Sequence, residues 1–327
     1  MIRSILFTET GQVKPILLKD LESALSMEKG LIWLDISAEP ELVCKPILNE
    51  VFKFHPLAID DALQETHVPK IDNWDTYLYM ALRTIKVTID ETFEIDIPEL
   101  DIFLGENYLV TYHEEEIAAV DKIWTASHQD NKYGTRGAGY LFYQIADEIV
   151  SNTILAIDEL DLQIDQIEDE IFLAQQSGTL ELIFSVKRIV LKLRRTLLHQ
   201  REVFNKLSRG DFDLIHEENQ VYFRDVYDHM VRLQEINESS RDLVSGALDT
   251  YLSVVNNRMN DVMKTLTIFT TLFMPLTFIT GFFGMNFFQV TNLMEAWTSK
   301  TIFGLMLASI IMIPAGIYFW MRKRAWI

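Results

Sequence analysis

Asp249, Asn256, Asn260, Met263, Leu266, Thr270, Met274, Thr277 and Gly281 recur at helical spacing. At about 100° per residue they fall in one sector of roughly 120°. Just beyond them stands the tripeptide Gly284-Met285-Asn286, between Phe283 and Phe287. The chemistry these residues offer is mainly that of neutral oxygen. Amides, hydroxyls and free backbone carbonyls accept hydrogen bonds from the water shell of a cation and let it go, whereas a ring of carboxylates would hold it. Met263, Leu266 and Met274 would form apolar collars that gate by dewetting. Two readings of the stripe stay open. Small and hydroxylated residues also favour close contact between membrane helices. The other reading is a pore, which needs several copies of the chain, because one helix encloses nothing and two per chain are too few.

Two uncharged segments frame the tripeptide. Thr265 to Met294 is a run of 30 residues without a charge, and Thr301 to Met321 is a second of 21. The second spans about 31 Å, close to the hydrocarbon thickness of a bilayer. The first must hold one helix and then the loop that carries the tripeptide. Together they read as a membrane hairpin. Arg322, Lys323 and Arg324 follow it and Lys264 precedes it, against Lys300 on the opposite side. This bias puts both termini in the cytoplasm and the Gly284 loop outside. Met1 to Gly11 is too short for a secretory signal, and the single cysteine, Cys44, suits a reducing compartment. The expected location is a cell inner or plasma membrane, crossed twice.

Asp and Glu number 48 against 29 Lys and Arg, for a net charge of −19. Such a surface repels nucleic acid, which argues against a DNA-binding reading, and it concentrates cations.

Residues 1–137 read as a cytoplasmic α/β domain. Strands are predicted at Ser4–Thr8, Gly30–Ile36, Tyr77–Val87, Leu100–Leu104 and Tyr108–Tyr112, with Trp74 to Tyr77 opening a central one. Helices are predicted at Leu18–Ser26 and near Ile59–Glu65. Gly134, Gly137 and Gly139 lack dinucleotide spacing and read as a flexible joint. Residues 138–219 read as a helical hairpin. Its first helix carries a heptad seam of Ile157, Leu160, Ile164, Ile167 and Ile171, with an acidic outer face. The second helix, roughly Leu180 to Leu207, is basic, so charge pairing is expected to hold the two together. Residues 220–283 form a stalk and first transmembrane helix, about 90 Å long if unbroken. Residues 284–300 are the outer loop, 301–321 the second transmembrane helix, and 322–327 a basic tail.

Met274-Pro275-Leu276-Thr277-Phe278-Ile279-Thr280-Gly281 followed by Phe283-Gly284-Met285-Asn286-Phe287 resembles the signature of the CorA family of divalent-cation transporters. The likeness extends through Tyr251-Leu252-Ser253, Arg224-Asp225-Val226-Tyr227-Asp228-His229 and His55-Pro56-Leu57 with Asp60 and Asp61. It implies a funnel-shaped homopentamer whose five long helices line a pore inside an outer ring of second helices. It implies transport of Mg²⁺, often with Co²⁺ and Ni²⁺, and of Zn²⁺ in some relatives. Gly284, Met285 and Asn286 become the selectivity filter. Asp225 falls on a family position that helps bind regulatory Mg²⁺ between subunits, with Asp228 nearby and Asp90 or Glu91 as the partner from the first domain. Two departures stand out. Phe283 replaces the usual Tyr, and the outer loop reads Asn292-Leu293-Met294-Glu295, which leaves Glu295 as its carboxylate.

The reading is a passive Mg²⁺ channel driven by membrane potential and closed by internal Mg²⁺. A Zn²⁺ or Co²⁺ transporter of the same architecture is the alternative. An enzyme is not expected: His55, His67 and Cys44 lack metal-site or triad spacing. A bare structural anchor would not need a polar stripe.

Overall fold

The computed structural model describes residues 1–8, 12–26, 30–64, 68–89, 93–130, 132–173, 178–285 and 300–324. It divides into two units, Met1–Asp249 and Thr250–Ile327.

The first unit is built on a seven-stranded sheet. Its strands are β1 (Ile2–Phe7), β2 (Val13–Pro15), β3 (Leu31–Ser37), β4 (Lys70–Asn73), β5 (Leu78–Arg83), β8 (Glu99–Leu104) and β9 (Tyr108–His113). The order is β2-β1-β3-β9-β8-β5-β4, with β6 (Lys86–Ile89) and β7 (Phe93–Asp96) forming a separate hairpin. Among the described strands of this sheet only the β3–β9 pair is parallel. Both faces of the sheet are covered, so β3, β5 and β8 are buried at every position. That is why β5 and the start of β3 read as continuous apolar runs rather than alternating ones, while β8 buries Glu99 and Asp101 among its apolar residues. On one face, Ile32, Leu34, Ile36, Phe103 and Val110 pack with α1 (Leu21–Leu25), α2 (Glu41–Pro46) and α3 (Pro56–Leu63). On the other, Trp33 meets Trp124 of α4 (Ala118–Ser127) edge to face at 4.9 Å.

The expected strand Tyr77–Val87 is broken in two and is not central. Trp74 to Tyr77 is the turn of the β4–β5 hairpin. The Asp75 amide donates to Asn73 Oδ1 at 3.1 Å, and Asp75 takes a left-handed φ of 61°. This local side-chain bond outcompetes the strand. The central strand is β9. The glycine joint is also corrected. A short α5 (Lys132–Thr135) precedes α6 (Gly137–Leu173). A Cβ on Gly134 would lie 2.3 Å from Phe7 Cβ, and one on Gly139 would lie 2.8 Å from Asn219 Nδ2. Two of the three glycines therefore serve close packing, and only Gly137, at φ 81°, needs glycine's conformational freedom.

Buried charge crosses this unit. Arg3 pairs with Asp35 at 2.8 Å, and Thr111 donates its hydroxyl to the same carboxylate. His113 Nε2 faces Asp35 Oδ1 at 3.2 Å, while Nδ1 faces the Glu115 carbonyl. Both ring nitrogens meet acceptors, a setting that favours the imidazolium. Burial opposes that charge, but the Asp35 bond outweighs it and raises the His113 pKa above 6.5. Burial likewise disfavours the Asp35 charge, yet His113, Thr111 and Arg3 hold its carboxyl below 3.8. The raised His contributes stability in full below about pH 6.5, lost as pH rises through its folded pKa; the lowered Asp contributes above about 3.8, lost on acidification. The guanidinium midpoint of the full chain in detergent should therefore stay level near pH 6 and fall towards alkaline pH. His113→Gln should lower the midpoint near pH 6 and flatten the alkaline limb. An unchanged limb in that variant would place the loss elsewhere.

α6 and α7 (Thr179–Ser208) correct a second expectation. Among the described residues no ion pair joins them. Their buried faces are apolar: Ile157, Leu160, Ile164, Ile167 and Ile171 on α6, and Ile183, Val186, Val190, Leu193 and Leu197 on α7. Burial of such side chains outweighs exposed ion pairs, each worth about 0–1 kcal/mol. The basic helix pairs instead with α8 (Glu217–Gly284), through Arg194 and Glu238 at 2.6 Å.

The second unit holds the rest of α8 and α9 (Lys300–Lys323). Both α8 and α9 contain a stretch long and apolar enough to cross a membrane.

Candidate ion pathway and acidic pair

α8 has 68 residues, about 100 Å of helix. Its first half has a packed side. Phe223, Val226, Met230, Leu233, Asn237, Ser240, Val244 and Ala247 are buried, at alternating steps of three and four. From Thr250 to Gly284 no residue is buried. The stripe lies in this second half. Asn256, Asn260, Met263, Leu266, Thr270, Met274, Thr277 and Gly281 are all exposed, Met274 at 75%.

The hydroxyls on the stripe are oriented. Thr270 Oγ1 donates to the carbonyls of Leu266 and Thr267, both at 3.0 Å, and Thr277 Oγ1 donates to Phe273 O at 3.0 Å. With its hydrogen turned back to the helix, each oxygen presents only lone pairs outward. These hydroxyls are thus acceptors on the outer face, matched to the water hydrogens around a cation. Thr267 belongs to that face too. It sits seven residues after Asn260 and seven before Met274, and its hydroxyl donates to Met263 O at 2.7 Å. Sequence reading passed over it, although the heptad spacing marks it.

Among the described residues, a Cβ on Gly281 or Gly284 would meet no atom within 4 Å. Pro275 stands inside the helix and leaves the Thr271 carbonyl without its usual backbone donor. Gly284 ends α8, and the Met285 amide donates to Phe282 O at 3.3 Å. Asn286 and Glu295 lie outside the described residues, as do Asp90 and Glu91.

The acidic positions lie on the packed half of α8. Asp225 and Asp228 are exposed there. Neither bonds to Arg224 or Arg232 among the described residues. Asp225 Oδ2 sits 3.7 Å from His229 Nε2 instead. The structure adds a carboxylate that sequence reading missed. Asp147 of α6 is half-buried, and burial, then the charge of Asp225, holds its carboxyl above the usual range, against His229 and Lys122. Beside it the Tyr143 phenol is pushed up to about 12 by burial and by Asp147 and Asp225. Tyr143 with Asp147 and Asp225 with His229 are both i,i+4 pairs, the one sequence signal available. Among the described residues no group of three or more His, Cys, Asp or Glu can hold a metal ion. Within one chain Asp147 and Asp225 are two carboxylates whose charges oppose one another, and not a complete ligand shell.

Residues 28–323 match the family described as CorA-like Mg²⁺ transporter protein. The chain belongs to this family. It is 33% identical to the Bacillus subtilis protein YfjQ, over 90% of this chain and 89% of that one. It is 31% identical to the cobalt/magnesium transport protein CorA of Thermotoga maritima, over 94% and 87%. More distantly, at 22% identity over 83% and 81%, it is similar to the zinc transport protein ZntB of Pectobacterium carotovorum. The fold matches the complete CorA magnesium transporter structure from Methanocaldococcus jannaschii, with a TM-score of 0.83 at 21% identity, over 100% and 99% of the two chains. The CorA-like chain is thus a metal-ion transporter with an α/β first domain, a long helix and two C-terminal candidate spans.

Proposed function

We propose that this CorA-like chain is a passive channel for Mg²⁺, also passing Co²⁺ and Ni²⁺, formed by five copies. The observation that carries this is the stripe of α8, where the Thr270 and Thr277 hydroxyls turn only lone pairs outward along a stretch that the described residues leave uncovered. Copies of the same helix turned inward would enclose it, with Gly284, Met285 and Asn286 at the mouth. Weak oxygen sites in series suit an ion that keeps its water. An inside-negative potential supplies about 4.6 kcal/mol per 100 mV for a divalent ion.

The Zn²⁺ reading draws support from the likeness to ZntB. Donor chemistry weighs against it, since the stripe carries no Cys or His, the ligands Zn²⁺ favours. Proteoliposome uptake measured with Mg²⁺, Co²⁺, Ni²⁺ and Zn²⁺ separately should show Mg²⁺ flux that tracks the imposed potential. Zn²⁺ flux without Mg²⁺ flux would overturn the assignment.

Regulation is assigned to Asp225 and Asp147, with Asp228 beside them and a neighbouring copy's Asp90 or Glu91 completing the site. Carboxylate oxygens suit hard Mg²⁺, and a bridging ion would offset both the burial and the Asp225 charge that raise the Asp147 pKa. High internal Mg²⁺ would draw the copies together and close the pore.

Both termini are placed in the cytoplasm. With buried Cys44 replaced, Ala325→Cys should resist an impermeant thiol reagent applied to intact cells. Efficient labelling would reverse the topology.

A further inference from the structure

α7 gathers positive charge in a chain of net −19. Lys192, Arg195 and His199 stand three and four residues apart and line a cleft of about 490 Å³, closed on another side by Arg83 of β5. No carboxylate lines the cleft among the described residues. Arg83 is fixed, by Glu99 at 2.6 Å and by the Ile97 carbonyl at 2.8 Å. Lys192, Arg195 and His199 join no ion pair among the described residues. Arg194, next in the chain, is paired with Glu238 at 2.6 Å. Like charges one helical turn apart cost stability unless an anion sits between them. The chain neutralises its neighbour and leaves these.

The cleft volume lies within the range of small-ligand sites, about 300–1,000 Å³. Among the described residues its lining holds no Phe, Tyr or Trp to form a platform for a base. What it offers is a fixed guanidinium, a second guanidinium, an ammonium and an imidazole, the groups that recognise phosphate oxygens. We propose that this cleft binds a linear di- or triphosphate anion through its phosphates.

The test is calorimetric titration of the full chain in detergent with inorganic pyrophosphate. EDTA is present, so that chelated divalent ions do not contribute. One pyrophosphate should bind per chain, less tightly as salt rises. Lys192→Gln/Arg195→Gln changes two exposed residues and should weaken binding at least about tenfold, the loss of two charge-assisted bonds. Lys187→Gln/Arg188→Gln, on the same helix but outside the cleft, should bind as wild type does. A nucleoside triphosphate should compete with affinity similar to inorganic triphosphate. Absence of binding, or equal loss in both double variants, overturns the proposal. So does a change of subunit number in Lys192→Gln/Arg195→Gln without pyrophosphate binding by wild type, which would make the cleft a seat for the acidic helix of another copy.

Discussion

An Asn286→Ala protein is expected to lose Mg²⁺ uptake while keeping its subunit number. In the proposed assembly Asn286 contributes five amide oxygens at the outer mouth, beside the Gly284 carbonyls. Each accepts a hydrogen bond from the water around the arriving ion, worth about 1 kcal/mol, and alanine removes all five at once. A loss near 5 kcal/mol in capture corresponds to a fall of more than about a thousandfold. Flux into liposomes reported by a Mg²⁺ dye, alongside light scattering of the same preparation, checks both halves. Wild-type flux would sink the filter assignment. A broken oligomer with no flux would instead make Asn286 a packing residue. Asn286→Asp gives the complementary result: five carboxylates should bind the ion and pass it slowly.

Asp225→Ala should raise the internal Mg²⁺ needed for inhibition by about tenfold, since one carboxylate ligand of a shared ion is lost. Asp147→Asn should act in the same direction, and the double variant should add little, because the two act on one ion. The Asp147 carboxyl already binds its proton more tightly than usual, so protons compete with the cation there. Inhibition by Mg²⁺ should therefore weaken as pH falls, and Asp147→Asn should remove that dependence. Wild-type inhibition curves in Asp225→Ala and in Asp225→Ala/Asp228→Ala would place the sensor elsewhere. A loss of pH dependence confined to Asp228 variants would exclude Asp147 from the site.

The helices were legible because their patterns are strong. The α6 seam and the α8 stripe follow from spacing alone, and α8 runs Glu217–Gly284 against an expected 220–283. The sheet was less legible. β4 is a short, polar edge strand with nothing apolar to announce it except Ile71. The Asp75 turn was hidden because Trp74 and Tyr77 look like strand residues while the bond that bends them comes from Asn73. The charges of α6 and α7 suggested mutual pairing, but their complementarity says nothing about which faces meet. Asp147 could not be found from sequence, because its raised pKa comes first from burial in the fold and then from Asp225 on another helix. Family likeness brought Asp225 forward and left its neighbour across α6 unnamed.

Pro275 divides the outer part of α8 into unequal arms. Nine residues separate it from Gly284, an arm of about 14 Å. A helix missing one backbone bond bends there more readily than elsewhere. A swing of about 10° on that arm would carry its tip sideways by about 2 Å. Five tips moving together would widen or narrow a mouth by about the size of one water molecule. Whether an ion enters with its whole shell or only part of it would then be a property of a hinge and not of the donors. Filling that notch, by Pro275→Ala, would stiffen the arm and fix the aperture at one diameter.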